Sequence, residues 1–144
     1  MSNTQIEIIQ TSQAPDAKPV GVSMLLTDTF QPVIEAPTYL VPEETFGGTT
    51  VQREGVAEII TPLLLCNTSF FDETVSVRIY RASSNSYFNV AQDIPVPRND
   101  MLALPLNGQF IYTGDFLEAK SNVNDFINIT ISYTVGEAER DDVV

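Results

Sequence analysis

Residues 74–81 read Thr-Val-Ser-Val-Arg-Ile-Tyr-Arg, and every second side chain up to Ile79 is aliphatic. Val75, Val77 and Ile79 share one face of an extended chain; Ser76, Arg78 and Tyr80 share the other. A period of two with one apolar face predicts a half-buried strand. The pattern returns over 126–135, where Ile127, Ile129, Ile131 and Tyr133 alternate with Asn128, Thr130, Ser132 and Thr134. Weaker strands are predicted at 22–30 and 33–41, punctuated by Pro32, Pro37 and Pro42. Proline donates no hydrogen bond to a ladder, so these belong at edges or are broken. The apolar run 56–66 is interrupted by Pro62, 87–91 is short, and 101–104 stops near Pro105. Asn107-Gly108 is a tight-turn pair leading into 109–112, and Thr113-Gly114-Asp115 turns again before 116–120. Residues 94–100, with Pro95 and Pro97, read as an irregular link. No segment carries a helical period.

Eight or nine short strands, with turn signals about every 8–12 residues, predict an all-β fold: one antiparallel β-sandwich, jelly-roll or Ig-like. Strand order is not readable from the pattern, so both topologies stay open. Residues 1–20 are polar, carry Pro15 and Pro19, and lack the apolar content to fold alone. They predict an extended N-terminal arm, within which Ile6 and Ile8 alternate with Gln5 and Glu7 as a short edge strand would. The sandwich is assigned to 21–136, with its core from about 51 onward, and 137–144 to an acidic, frayed tail.

Composition supports strands: Val, Thr and Ile number 14, 14 and 12, against nine Ala. It also narrows the chemistry. The chain has no His, no Trp and one Cys. A Ser-His-Asp or Cys-His couple and a His-bearing metal site are therefore impossible within it. Cys66 has no partner for an internal disulfide and, in the run Leu63-Leu64-Leu65-Cys66, reads as a small buried hydrophobe. A net charge of −12 disfavours nucleic acid and anionic membrane surfaces. The first ten residues lack the basic and apolar regions of a signal peptide, and no run approaches a membrane span. A reducing cytosol is the expected place of synthesis. The Asn67 and Asn128 glycosylation patterns carry no meaning there.

Carboxylates are the plentiful reactive groups. Glu43-Glu44 and Asp72-Glu73 fall in predicted turns and read as solvated charges rather than an acid/base pair. Asp93, Asp100, Asp115 and Asp125 form no calcium loop, and Asn122-Val123-Asn124-Asp125 is a poor partial match; each Asp fits a turn. Gly47-Gly48 is a turn without the basic residue or helix of a phosphate loop. Arg78 and Arg81 flank Tyr80: either a contact point for an acidic partner or a polar sheet face with stacked arginines. Tyr80 and Tyr133 fall on nominally outward positions.

A strand ending in Leu65-Cys66-Asn67-Thr68, an alternating strand at 74–80, Ile94-Pro95-Val96-Pro97, a Leu-rich strand at 101–106, Gly114-Asp115, and a closing Ile-rich strand ending Ser132-Tyr133 follow in order. This succession over 56–136 resembles the small β-sandwich virion proteins of tailed bacteriophages, especially those of cyanobacteria and other aquatic hosts. The first 50 residues have no counterpart in it. The resemblance implies a non-enzymatic virion structural protein without cofactor, decorating or cementing the capsid. Its partners would be other virion proteins and further copies of itself, with no nucleic acid or membrane. A neck, tail or baseplate part is the alternative within that class. Expected contact residues are Ile6, Ile8, Ile9, Leu25, Phe30, Phe46, Arg78, Tyr80 and Arg81, on the arm, the strands and the loops at 42–50 and 82–86. Two rivals come from other classes. A carbohydrate-binding module would use Tyr80, Tyr87 or Tyr112; a carboxylate hydrolase would use Glu43 or Glu44.

Overall fold

The computed structural model describes residues 19–36, 38–42 and 50–137. They form eleven strands and no helix: β1 (Val20–Leu25), β2 (Gln31–Glu35), β3 (Thr38–Pro42), β4 (Thr50–Ile59), β5 (Leu63–Asn67), β6 (Glu73–Arg81), β7 (Ser86–Val96), β8 (Met101–Leu104), β9 (Phe110–Tyr112), β10 (Phe116–Ser121) and β11 (Ile127–Glu137). Every pairing is antiparallel.

The pairings are nested. β1 pairs with β11, β2 with β10, β4 and β5 with β9 and β8, and β6 with β7. The chain is thus a long antiparallel ribbon folded on itself. Two further ladders, β11 with β4 and β5, and β10 with β6, roll that ribbon into two sheets. One sheet runs β1, β11, β4/β5, β8/β9, with the β3 hairpin on β4; the other runs β2, β10, β6, β7. This is the strand order of an eight-stranded jelly roll, in which β4/β5 and β8/β9 each count as one broken strand. The open choice between jelly-roll and Ig-like sandwiches is thereby decided.

The break in β4/β5 follows from Pro62. β11 pairs with β4 up to Ile59 and resumes with β5 at Leu64. Between them the Ser132 amide donates to the Thr61 hydroxyl (2.9 Å), and the Ile60 amide donates to the Ser132 carbonyl (3.0 Å). The predicted alternation sets the core. Val75, Val77 and Ile79 of β6 and Ile127, Ile129 and Ile131 of β11 are buried and face each other's sheets, with Leu63, Leu65, Leu117, Ile59 and Ile111 filling the space between. Each such side chain contributes about 1.5–3 kcal/mol of burial.

Several expectations need correcting. Residues 33–41 are not one extended piece: β2 and β3 belong to different sheets. The link at 94–100 is strand as far as Val96, because β7 is an edge strand, where Pro95 is tolerated. Glu137 belongs to β11 rather than to the tail. Cys66 is exposed, not buried: Leu63, Leu65 and Asn67 turn inward and leave Leu64 and Cys66 on the outer face. Tyr133 continues the inward phase of the three isoleucines and packs on the core.

Candidate functional site

Jelly-roll topology brings four loops to one end of the sandwich: 26–30 after β1, 68–72 after β5, 97–100 after β7 and 122–126 after β10. Backbone bonds lace them together. The Ser121 amide donates to the Thr27 carbonyl (2.8 Å), Asp125 to Leu26 (2.9 Å), Asn67 to Asp100 (2.9 Å) and Thr68 to Phe126 (2.9 Å).

Beneath the loops lies a chain of polar side chains. Asn67, the last residue of β5, is buried; its Nδ2 donates to the carbonyls of Phe71 and Val96 (both 2.9 Å), and its Oδ1 accepts from the Ser69 amide (2.8 Å). Buried Ser69 accepts from the Phe71 amide (3.1 Å) and donates to Glu73 Oε2 (2.9 Å). Glu73 Oε1 accepts from Asn122 Nδ2 (3.0 Å), and Asn122 Oδ1 accepts from the Thr74 amide (2.9 Å). Among the described residues no buried side-chain nitrogen or oxygen lacks a partner. A fully satisfied network of this kind holds its loops in one arrangement.

What that frame holds out is apolar. Phe70 and Phe71, between Ser69 and Glu73, are 77% and 73% exposed. Phe126, whose carbonyl takes both the amide and the hydroxyl of Thr68, is also exposed. Leu25, Asn128, Cys66 and Met101 form one cross-strand row on the outer face at the rim of this end, and Leu25 and Met101 are exposed. The four loops also carry the exposed carboxylates Asp28, Asp72, Asp100 and Asp125, with Arg98 as their one basic residue. Nothing in folding requires two adjacent phenylalanines in water. A rigid apolar projection with an acidic border suits insertion into an apolar pocket bordered by lysines or arginines.

The expected contact residues are dispersed. Leu25 lies at the rim of this end. Phe30, Arg78 and Tyr80 lie on the outer face of the β2-β10-β6-β7 sheet, engaged with their own neighbours. The Arg78 guanidinium carbon sits 3.7 Å from the Phe30 ring centre and 3.9 Å from that of Tyr87, and its Nε pairs with Glu118. Tyr80 stacks on Phe116 with centroids 5.0 Å apart and bonds Asn85. Arg81 is at the opposite end, donating to Asp115 (3.0 Å) and to the Phe110 carbonyl (2.6 Å). The stacked-arginine reading of this face describes Arg78. Ile6, Ile8, Ile9 and Phe46 lie outside the described residues, as do Glu43, Glu44, Gly47 and Gly48.

Sequence reading misses Phe70 and Phe71. The available signal is a Phe-Phe pair inside a turn of Asn, Thr, Ser and Asp, where no alternation assigns it to a core. Among the described residues no three Asp, Glu or Cys side chains gather to hold a metal, and no helix is long and apolar enough to cross a membrane. Comparison with protein-family models, curated proteins and solved structures finds no significant match.

Proposed function

We propose that this protein is a non-enzymatic structural component of a tailed-phage virion, decorating the capsid and seated on neighbouring subunits by its phenylalanine-bearing loop end. The observation that supports this best is the contrast at that end: a hydrogen-bonded Asn67-Ser69-Glu73-Asn122 frame, buried at its first three members, presenting Phe70 and Phe71 to solvent. Preorganised aromatic side chains lose little freedom on docking and supply most of an interface's free energy. The jelly roll is an architecture shared by viral capsid proteins, lectins and cupins; it is compatible with the reading and does not select it. A carbohydrate-binding role is less well supported: Tyr80 stacks on Phe116 and one face of Tyr87 takes Arg78, and the exposed Tyr87 and Tyr112 lie on different sheets rather than on one platform.

Quantitative mass spectrometry of purified particles tests the proposal. Hundreds of copies per particle are expected for capsid decoration. About six or twelve would move the protein to a neck, tail or baseplate ring. Absence from particles would remove the virion reading. Particles grown with Phe70→Ser/Phe71→Ser should carry at least about tenfold fewer copies, equivalent to about 1.4 kcal/mol of docking free energy. Unchanged incorporation would mean that another surface does the docking.

A further inference from the structure

The sandwich is open along one edge. Among the described residues β7 pairs only with β6, and between β7 and the β8–β9 connection runs a groove of about 540 Å³. Its apolar lining is Ile79, Phe88, Val90 and Leu106. Phe88 pairs with Ile79 in the ladder and therefore turns toward the inner side, yet it is 53% exposed.

The two halves of this edge differ. An exposed strand edge invites pairing with another chain, and proteins blunt it with bulges, proline and charge. The second half of β7 has all three. The β6–β7 register shifts around Val77, Asp93 adopts φ 51° and is held by Ser76 through its amide (2.9 Å), and Pro95 follows. The first half, Ser86-Tyr87-Phe88-Asn89-Val90, has no proline, no charge and a regular register from Ser86 to Asn89. Protection is absent where the apolar groove lies.

We propose that this half of β7 receives residues 5–9 of a neighbouring copy's arm as an added antiparallel strand, with Ile6 and Ile8 in the groove. A strand's alternate side chains fall on one face, so Ile6 and Ile8 enter together while Gln5 and Glu7 face water. The arm has the length for it. It leaves the sandwich at Val20, and residues 10–19 span up to about 33 Å when extended. Its origin points to a neighbour rather than to the same copy. Val20 starts β1, at the sheet edge opposite β8, whereas the groove lies on the β7 and β8 side. Directly between, β4 continues through residues 50–54 past its last partners in β9 and β11, paired there with β3. In strand order β11 and β4 thus separate the arm's origin from the groove, so the chain's own arm would have to cross the width of that sheet. Each copy then donates one arm and accepts another, a joint that closes into a swapped dimer or a ring. The inference concerns how copies of this chain join and does not depend on the virion reading.

The test is hydrogen exchange combined with light scattering on the full chain. At high protein concentration the wild-type chain should exceed monomer mass, and its amides at 86–90 should exchange at least about tenfold more slowly than in Ile6→Asp/Ile8→Asp. That variant should be monomeric, and at concentrations low enough for the wild type to be monomeric too its melting temperature should equal the wild type's. A synthetic peptide of residues 2–13 added to the variant should restore the protection, and the same peptide with both aspartates should not. Phe88→Ser should abolish protection with the wild-type arm present. Equal exchange in wild type and variant would overturn the proposal. So would protection in a wild-type chain that stays monomeric at every concentration, which would assign the groove to the chain's own arm.

Discussion

The two ends of the sandwich solve the same problem and finish differently. At each, one buried side chain ties loops that backbone pairing leaves loose. Asn67 does so at the phenylalanine end. At the other end Asp115 accepts from the Ala82 amide (2.8 Å), the Tyr112 amide (3.2 Å) and Arg81 (3.0 Å). The turn carrying Asp115 depends on Gly114 at φ 92°, where an added Cβ would also meet Ala82 at 3.0 Å. Below the surface both ends are polar and satisfied. Above it, the Asp115 end carries the small residues 82–85 and a stacked, partly exposed Phe110–Tyr112 pair (42% and 43%), whereas the Asn67 end displays Phe70 and Phe71 at 77% and 73%. Structural need is thus met without the aromatics, which separates what folds the end from what it shows.

That separation predicts unequal effects. Asn67→Ala should cost the most, about 2–3 kcal/mol, because three backbone groups lose their partner in a buried site. Urea denaturation should show a lower midpoint, and the loop at 68–72 should exchange faster. An effect under about 0.5 kcal/mol would mean that the network does not frame the loop. Asp115→Ala should cost somewhat less, about 1–3 kcal/mol, since partly exposed Arg81 can turn to water while the two amides are stranded. Arg78→Ala, which removes ring stacking and an ion pair on a half-exposed face, should cost about 1 kcal/mol. Phe70→Ser/Phe71→Ser should fall within about 0.5 kcal/mol of wild type in the same measurement. A loss above about 1 kcal/mol would return the pair to a structural role and dissolve the contrast between the ends.

Residues that lay on a clear alternation were legible in advance. Ile127, Ile129, Ile131, Val75, Val77 and Ile79 face the core as their spacing requires. Cys66 was not, because a short apolar run does not reveal its phase; only pairing with β11 and β8 turns Leu65 in and Cys66 out. Pro95 misleads in the other direction. It argues against a central strand, and β7 is an edge strand. The candidate end was the least legible part. Asn67, Ser69 and Glu73 lie within seven residues, but Asn122 comes from another turn 49 positions beyond Glu73. Local spacing does not encode that contact.

From the sequence by itself follow the all-β class, the inward faces of the two strongest strands, and the exclusion of histidine chemistry. Each rests on local physics: a two-residue period, β-branched composition, and a residue type that is present or missing. Tertiary structure alone decided the jelly-roll order, the gathering of four distant loops at one end, and the unguarded half of β7. These depend on which strand lies beside which, and ladder hydrogen bonds are the same for every neighbour. The choice is made by burying all the apolar faces at once, a property of the whole chain rather than of any segment.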